Sequence, residues 1–417
     1  MKRILFLTDY WFPKKTANAV CVQNIAKELL ASGNEVYVCA YNGADNSPAE
    51  EDGLHFSYVR PSLARRLMRT SAQCQNAALA KTLGKIGVTI NRIRRLLLLP
   101  FYPLVSLTFP HRWRKAGEEL IRKERIDTVV SVIAPDEALY TGYLIKRRNP
   151  SVEWIAYYID AGTNILTGTS FEPVKRILQR KAVFWENKVL AFAKKIIVME
   201  GHASYYRQNL MEKNKRKLRV ANVPLLIIPT EKRSVNTQEN DSIERWVYTG
   251  NMSSRLYDPR PLCELFAAYR KTHPAKLHLY GPSDHREYLE TIVNKDSGII
   301  WHGMVSHEEI FAIQSSADLL VYYVCKDVDS VSGKLFEYLG TGKRILYLGP
   351  EDDINARQLA KYDRGLALPM DEPLPTLLQR LEAFLGHTQN ASAVDPADLC
   401  ACYEQNMPSF TARIITD

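Results

Sequence analysis

The stretch DSVSGKLFEYLGTGKRILYLG, residues 329–349, places a polar loop, a helix start and a strand in an order that suits the binding of a diphosphate. Ser332 and Gly333 are predicted to lie at the amino end of a helix, where unpaired backbone N–H groups and the helix dipole attract anions. Glu337 follows one turn later, on the face of Gly333. A carboxylate at that position is suited to accept hydrogen bonds from hydroxyl groups such as those of a ribose.

A second acid, Asp329, lies eight positions before Glu337. Two acids that flank an anion-binding helix start indicate a ligand with phosphate in the middle and hydroxyl-rich groups at both ends, which describes a nucleotide sugar. Residues 340–343 do not complete a GxxxxGK[ST] phosphate loop, because Glu337 stands where that motif needs Gly and Arg344 where it needs Ser or Thr.

The same stretch is also typical of a purely structural element. Leu335, Phe336 and Leu339 have the spacing of the buried face of a helix, and residues 344–348 form an apolar strand. Both interpretations can hold together, since a helix can bury one face and direct its start at a ligand.

The composition is that of a globular protein, with 46% hydrophobic and 24% charged residues in 417, enough chain for two or three domains. Seven cysteines are scattered among apolar neighbours without the spacing of a metal site, and we expect buried thiols in a reducing cytosol. The apolar run near the start covers only residues 4–8, which is too short for a signal peptide and predicts a buried first strand.

The positive charge is concentrated in one segment. Residues 60–125 contain fifteen Lys and Arg and three acids, a net charge of +12 within a chain of net charge +9, so the remaining residues together carry −3. The apolar sequence LLLLPFYPLVSLTFP, residues 96–110, lies inside this segment between arginines on both sides, namely Arg92, Arg94, Arg95, Arg112 and Arg114. Fifteen residues interrupted by prolines are too few to span a bilayer, which takes about 20.

Three interpretations of this segment are open. Apolar residues flanked by arginines and by Phe101, Tyr102 and Trp113 are typical of a surface that docks on an anionic membrane. A buried core helix with solvated basic ends fits the same pattern. Nucleic acid ranks last, because the aromatic residues are clustered with aliphatic ones rather than interleaved with basic ones, so we expect no nucleic-acid partner.

Apolar runs alternate with amphipathic helical stretches, which predicts an α/β fold with parallel sheets in two doubly wound halves. Ligands of such folds bind at the carboxyl ends of the strands and in the cleft between halves. No GxGxxG follows the first strand, where Thr8, Asp9 and Tyr10 stand, which argues against a dinucleotide redox enzyme. The predicted strands are residues 3–8, 35–41, 127–134, 153–160 and 194–200, then, after a polar stretch at 230–244, residues 245–250, 276–281, 298–303, 317–323 and 344–349.

Taken in order, these segments resemble the GT-B glycosyltransferases, and more narrowly the large retaining family four of nucleotide-sugar transferases. The resemblance is carried by TDYWFP and TANAVCVQNIAKELLASGNEVYV in the first half and by YTGNM, HLYG, WHGMVSHEEIFAIQSSADLLVYY and SGKLFEYLGTGKRIL in the second. It implies two Rossmann-like doubly wound domains facing across a cleft. The implied boundaries are an acceptor-binding domain at 1–225 with a basic, membrane-docking part at 60–125, a linker at 226–244, a donor-binding domain at 245–390, and a C-terminal segment at 391–417 that packs back toward the first domain.

On the donor side, the resemblance implies that Glu337 holds the ribose. Asp329 stands where the family has the first glutamate of a pair separated by seven residues, the one that contacts the donor sugar. Ser332, Gly333 and Lys334 match positions whose backbone amides bind the diphosphate, and the Lys334 ammonium adds charge there.

The resemblance also assigns three glycine-containing loops. Gly250 and Asn251 match the turn after the first donor-domain strand, where the family has Arg after the Gly and Lys six residues later; Asn251 and Tyr257 stand there instead. Arg255 is the nearest replacement cation, and a solvated arginine remains the alternative. The full donor set implied is Gly250, Asn251, Arg255, Gly281, Pro282, Gly303, Met304, Ser332, Gly333, Lys334, Leu335 and Glu337.

On the acceptor side, Thr16 and Asn18 lie in a segment that replaces a Gly-rich loop, with Asn18 as the hydrogen-bonding group. Asp136 and Asp160 are the acids near strand ends that face the implied cleft. Asp160 is also suited to cap a helix or turn.

The function implied is transfer of a hexose-type sugar from a nucleoside diphosphate donor to a lipid-linked or glycan acceptor, with retention, in cell-surface polysaccharide or glycoconjugate biosynthesis. The implied catalytic residues are Asp329, Asp160, Lys334 and Arg255, with no metal ion and no cofactor. The expected location is cytoplasmic, peripheral on the inner face of the plasma membrane. Two alternatives are a nucleotide-sugar-binding assembly subunit without activity and a nucleotide-sugar epimerase of the same fold.

Overall fold

The chain forms two compact units, Met1–Pro224 together with Pro408–Asp417, and Leu225–Met407. The computed structural model describes residues 1–12, 15–41, 47–74, 76–104, 106, 108–133, 137–159, 171–228, 243–252, 257–295, 298–305, 307–324, 332–388 and 394–417.

The first unit alternates strands and helices along the chain. Its strands are β1 (Arg3–Tyr10), β2 (Glu35–Tyr41), β3 (Glu50–Glu51), β4 (Leu54–Val59), β5 (Thr128–Ile133), β6 (Glu153–Tyr158), β7 (Lys195–Met199) and β8 (Leu218–Ala221). Its helices are α1 (Ala17–Ala31), α2 (Leu63–Gln73), α3 (Ala77–Leu97), α4 (Phe109–Glu124), α5 (Glu137–Arg148), α6 (Glu172–Leu190), α7 (Glu200–Asn209) and α8 (Glu212–Lys215).

The strands of this unit form one sheet in the order β3-β4-β2-β1-β5-β6-β7-β8, in which only the β3–β4 pair is antiparallel. The chain runs outward from β1 to β4 and then returns to the other side of β1 with β5. Every residue of β5 is buried, as expected for a parallel strand covered on both faces. The reversal of strand order between β1 and β5 is the kind of switch point where doubly wound sheets bind ligands.

The second unit repeats the same construction. Its strands are β9 (Glu244–Thr249), β10 (Ala275–Tyr280), β11 (Ile299–Gly303), β12 (Leu319–Tyr323), β13 (Arg344–Leu348) and β14 (Gly365–Leu368). Its helices are α9 (Arg260–Tyr269), α10 (Arg286–Lys295), α11 (His307–Ser315), α12 (Gly333–Gly340), α13 (Ile354–Leu359), α14 (Leu374–Thr388) and α15 (Pro396–Cys402). The last helix, α16 (Pro408–Thr416), belongs to the first unit.

The second sheet has the order β11-β10-β9-β12-β13-β14, and all its neighbouring pairs are parallel. Its switch point therefore lies between β9 and β12. The apolar core is formed by the strands and by helices on both faces, with Trp246, Phe266 and Leu319 fully buried. The carboxyl ends of β9 and β12 are followed by Gly250 and Val324, respectively.

The predicted strands are present within about two residues, and the α/β architecture follows the sequence pattern. Helix α1 begins at Ala17, because Thr16 caps it by accepting a hydrogen bond from the Ala19 amide at 3.2 Å. The short strands β3, β4, β8 and β14 are additional to the predicted set. Of the proposed linker, residues 229–242 lie outside the described residues, while Leu226 is buried and its amide donates to the Asn406 carbonyl at 3.1 Å.

Two expectations from the sequence are wrong. Trp113, assigned to a membrane-facing group, is fully buried in the first core, and its indole N–H donates to the Cys39 carbonyl at 3.2 Å. The cysteines are not all buried: Cys402 is exposed, and Cys74 and Cys400 are half-buried. Within the described part of the chain, no helix combines the length and apolar character needed to cross a bilayer.

Candidate active site

The start of α12 is held in place by a buried polar network. The Ser332 amide, at the N-cap, donates to Asn355 Oδ1 at 2.9 Å. Asn355 is fully buried, and its side-chain amide donates to Asp353 Oδ2 at 3.1 Å. The same oxygen accepts from the Tyr347 hydroxyl at 2.5 Å. Because each polar group has a partner, the network defines one position for the helix start.

This network also determines which backbone amides at the helix start already have a hydrogen-bond partner. The Ser332 amide is bonded to Asn355, so it is not one of the free donors at the helix start. The amides of Gly333 and Lys334 have no hydrogen-bond partner among the described residues. These two N–H groups, at the positive end of the helix dipole, remain suited to bind phosphate oxygens.

The opposite face of α12 fastens the helix to the sheet. Tyr338 is fully buried; its hydroxyl accepts from the Thr249 amide at 3.0 Å and donates to the Val321 carbonyl at 3.3 Å. Leu335 is also fully buried. The core-face interpretation of this helix is therefore confirmed, and the Leu335 side chain packs in the core.

Lys334 points toward the glycine turn that follows β9. Its Nζ donates to the Tyr248 hydroxyl at 3.2 Å and lies 5.0 Å and 4.8 Å from the ring centroids of Tyr248 and Tyr257. A Cβ atom placed on Gly250 would lie 2.0 Å from this Nζ, so glycine leaves the room that the ammonium occupies. Burial lowers the pKa of Lys334 to about 8, and the charge of Glu337 acts in the opposite direction.

The three predicted glycine loops lie side by side along the carboxyl edge of the sheet. The Gly250 amide donates to the Tyr280 carbonyl at 2.7 Å, and the Gly281 amide donates to the Gly303 carbonyl at 2.6 Å. Gly281 has φ +133°, and a Cβ there would lie 1.9 Å from the Gly250 carbonyl oxygen. Only glycine allows the two turns to approach this closely.

The residues that follow these glycines interact mainly through backbone atoms or have exposed side chains. The Asn251 carbonyl accepts from the Tyr248 hydroxyl at 2.9 Å, and the Pro282 carbonyl accepts from the Met252 amide at 2.9 Å. Met304 is 61% exposed. Glu337 is half-buried, one helical turn after Gly333, as the sequence predicts. These donor candidates therefore belong to one edge of the second unit.

The acceptor-side candidates lie in the first unit. Thr16 caps α1, and its hydroxyl donates to Asp9 Oδ1 at 2.5 Å. Asn18 lies within α1 and is only 9% exposed, which leaves little of its side chain for a ligand. Asp136, Asp160, Arg255 and Asp329 lie outside the described residues.

The sequence did not reveal the residues that hold the predicted site residues Lys334 and Ser332 in position. Tyr248 and Tyr257 enclose the Lys334 ammonium, and Asn355 holds the Ser332 amide. In the sequence, Tyr257 stands out only because the glycosyltransferases that the chain resembles have a lysine at the corresponding position. The YTGNM segment contains Tyr248, but local spacing carries no signal that its ring faces a lysine 86 positions away.

Solved structures share this fold over the whole chain. HepE from Anabaena in complex with UDP-glucose is similar with a TM-score of 0.60 at 12% identity, covering 100% of this chain and 98% of that one. Sucrose-phosphate synthase from Thermosynechococcus elongatus has a TM-score of 0.57 at 14% identity, covering 100% and 94%. WaaG, a glycosyltransferase involved in lipopolysaccharide biosynthesis, has a TM-score of 0.52 at 12% identity, covering 99% of each chain.

No protein-family model and no curated protein sequence matches the chain. The structural similarities nevertheless confirm the predicted fold class: the chain has the two-domain GT-B fold seen in these glycosyltransferases.

Proposed function

We propose that this protein is a glycosyltransferase that uses a nucleoside diphosphate sugar as donor. The observation that carries the proposal is the position of Lys334, whose ammonium lies at the amino end of α12 against Gly250, at the switch point between β9 and β12. Glu337 lies one turn further along the helix. Free amides, a cation and a carboxylate in this order match the phosphates and the ribose of such a donor.

The reaction proposed is transfer of a hexose-type sugar with retention to a lipid-linked or glycan acceptor, in cell-surface polysaccharide or glycoconjugate biosynthesis. The bond between the anomeric carbon and the diphosphate oxygen breaks, and a bond to the acceptor oxygen forms on the same face of the sugar. The acceptor proton passes to the departing phosphate or to Asp160. Lys334 and the Gly333 and Lys334 amides stabilise the charge that develops on the diphosphate, and Asp329 and Arg255 are proposed to assist.

Ligand binding and product analysis test this proposal together. A nucleoside diphosphate should raise the melting temperature of the purified protein, and a screen of bases identifies the preferred one. Incubation of the matching nucleotide sugar with acceptor should yield a glycosylated product, in EDTA as well as in Mg²⁺. An epimeric nucleotide sugar formed from donor alone would instead identify an epimerase, and binding without turnover of any donor would identify an assembly subunit.

Glu337→Gln is expected to weaken binding of a nucleoside diphosphate by about 10–150-fold, because a hydrogen bond to a charged acceptor contributes roughly 1.5–3 kcal/mol. Calorimetric titration with the diphosphate alone measures this, since that ligand contains the ribose but no donor sugar. Glu264→Gln is the matched control, an exposed acid on α9 of the same unit. Equal affinities for wild type and Glu337→Gln would remove the ribose assignment.

We also propose that the first unit docks on an anionic membrane. Large apolar side chains are exposed at the end of α3 and in the following 3₁₀ turn, with Leu96 70%, Leu97 72% and Phe101 55% exposed. Helix α6 adds Ile177, 64% exposed, and Phe184, 53% exposed. We call these five residues the apolar surface.

Helix α6 lies next to the turn, because Lys181 Nζ donates to the Pro100 carbonyl. Exposed cations border the apolar surface on both helices: Arg92 and Arg95 on α3, and Arg180 and Lys188 on α6. Apolar groups bordered by cations complement a bilayer surface rich in anionic lipid. The surface proposed here differs from the one expected from the sequence in two ways. Trp113 and Arg114 are buried and do not belong to it, and the α6 residues, which the sequence pattern did not mark, do.

Flotation with vesicles containing phosphatidylserine measures this docking. The double variant Arg92→Ser/Arg95→Ser is expected to reduce the equilibrium constant for vesicle binding at low salt by about 30-fold, since each surface cation contributes about 1 kcal/mol. Leu96→Asp with Leu97→Asp should reduce it as well. Lys271→Ser and Leu374→Asp, which alter an exposed lysine and a 39% exposed leucine of the second unit, are the controls. Unchanged flotation of both double variants would contradict membrane docking.

A further inference from the structure

A second polar cluster lies in the first unit, at the carboxyl ends of β1 and β2. The switch point of that sheet is between β1 and β5, so this edge is where a ligand of the first unit is expected. The cluster draws on five elements. Its members are Asp9 and Tyr10 of β1, Tyr41 of β2, Arg65 and Arg69 of α2, Arg94 of α3 and Glu137 of α5. We call Arg65, Arg69 and Arg94 the arginine cluster.

Two aromatic rings position two of the guanidinium groups. The Arg65 guanidinium lies 4.9 Å from the ring centroid of Tyr41, and that of Arg69 lies 4.2 Å from the ring of Tyr10. The two rings contact each other edge to face, with centroids 5.2 Å apart. Since both arginines lie on α2, one helical turn apart, the rings hold their guanidinium groups side by side.

Among the residues that the structure describes, the positive charge of the arginine cluster is only partly balanced. Arg65 Nη2 forms an ion pair with Glu137 Oε2 at 2.8 Å. Arg69 donates to the Phe12 carbonyl at 3.1 Å, and Arg94 donates to Asn91 Oδ1 at 2.8 Å. Among the described residues, neither Arg69 nor Arg94 has an ion pair.

Two buried polar atoms at this place, Arg94 Nε and the hydroxyl oxygen of Tyr41, also have no hydrogen-bond partner among the described residues, and the Tyr10 hydroxyl, which lies beside Arg69, has no acceptor among them. Tyr41 is fully buried. Burial lowers the pKa of Arg94, and the nearby charge of Arg65 lowers it further, whereas Glu137 raises it. Two arginines close enough to repel each other, beside hydroxyl donors without acceptors, indicate a place for an anion.

We propose that the arginine cluster binds a phosphate group of the acceptor, which makes the acceptor a phosphorylated sugar or a phosphorylated lipid. The guanidinium groups and the two tyrosine hydroxyls together offer more donors than the two oxygens of a carboxylate use, whereas a phosphate has three oxygens and up to two charges. The term acceptor depends on the proposed function; the binding of phosphate at this edge does not.

The test measures binding rather than transfer, so that it stands apart from the proposed function. Titration of the full chain with a hexose 6-phosphate tests a soluble source of phosphate, with the unphosphorylated hexose as control. A prenyl phosphate in vesicles of otherwise neutral lipid tests a lipid source. Binding of either phosphorylated probe, without binding of its unphosphorylated counterpart, is the expected result and identifies the source.

The variants Arg69→Gln and Arg94→Gln should each weaken binding of that probe by at least about tenfold, as expected for loss of a charge-assisted hydrogen bond. Arg66→Gln, on the exposed face of α2, should leave it unchanged. Asp9→Asn should tighten binding, because it removes a negative charge beside Arg65. Arg94→Lys keeps the charge and should retain part of the affinity.

Binding of a nucleoside diphosphate is the internal control, since the donor candidates belong to the other unit. Each variant should keep the melting temperature and the nucleoside diphosphate affinity of the wild type. If no phosphorylated probe binds, or if folded Arg69→Gln and Arg94→Gln variants bind it like the wild type, the phosphate site is refuted while the glycosyltransferase proposal stands. If the phosphorylated probe binds but no donor is turned over, the phosphate site stands and the glycosyltransferase proposal is refuted.

Discussion

Lys334→Ala is expected to lower kcat of sugar transfer by about 10²–10³-fold, with a smaller change in KM for the donor. The physical reason is that negative charge grows on the diphosphate as the bond to the anomeric carbon breaks. The Lys334 ammonium is already held by Tyr248 and Tyr257 against Gly250, so little reorganisation is needed when that charge develops. Removal of the cation therefore affects the transition state more than the bound donor.

Steady-state kinetics of purified variants measure this effect. Lys361→Ala is the matched control, because the Lys361 ammonium also lies over an aromatic ring, that of Tyr403 at 6.0 Å, in the same unit. Gly250→Ala provides a second route to the same loss, since its Cβ would displace the Lys334 ammonium without removing the lysine. A Lys334→Ala variant with wild-type kcat would exclude the proposed role.

The pH profile gives the Lys334 assignment a readout that general destabilisation would not produce. Because burial lowers the pKa of Lys334 to about 8, the free protein carries the ammonium below that pH and loses it above. Under the proposed function it is the charged form that contacts the diphosphate, so kcat/KM should fall about tenfold per pH unit above pH 8. That fall should be absent from the Lys334→Ala profile.

Gly281→Ala is expected to lower the free energy of unfolding of the second unit by about 2–5 kcal/mol, through backbone strain and overpacking together. The strain arises because Gly281 has φ +133°, which L-residues rarely adopt. The overpacking arises because the new Cβ would lie 1.9 Å from the Gly250 carbonyl oxygen, a backbone atom that cannot swing aside. Displacement of Gly250 would also disturb the Lys334 site.

Substitutions of two other glycines distinguish the effect of backbone strain from that of overpacking. Gly303 has φ +69°, and a methyl group added there would meet nothing within 4 Å, so Gly303→Ala should show the strain alone. Gly386 lies in α14 with open space around it, and Gly386→Ala should stabilise the protein by up to about 1 kcal/mol. Denaturant unfolding, followed by a probe in the second unit, measures all three. Equal losses of stability at Gly281 and Gly303 would show that the contact with Gly250 is not the cause.

The two proposals for the first unit meet on one helix. Arg92 and Arg95 of α3 are exposed beside the apolar surface, whereas Arg94 is half-buried and belongs to the arginine cluster. Helix α3 thus contributes cations both to the border of the apolar surface and to the arginine cluster. A lipid-linked phosphate would contact both the apolar surface and the arginine cluster, whereas a soluble sugar phosphate would contact only the arginine cluster. The vesicle and titration experiments therefore distinguish these two kinds of acceptor.

The sequence by itself determined the strand order along the chain and the fold class, and it predicted the helix start at Ser332 with Glu337 one turn later. These features are local: continuous apolar strands, glycines at strand ends, and a helix start between polar and apolar residues. The same local information could not separate the roles of Trp113 and Leu97, since periodicity marks a residue as apolar but not whether core or solvent meets it.

Only the tertiary structure decided what surrounds the reactive groups. Lys334 and Tyr248 are 86 positions apart, and their contact, together with the burial that lowers the lysine pKa, exists only once β9 and α12 pack. The arginine cluster likewise joins residues from α2 and α3 to the ends of β1 and β2. Charge balance and burial depend on neighbours brought together by the fold, and spacing along the chain does not contain them.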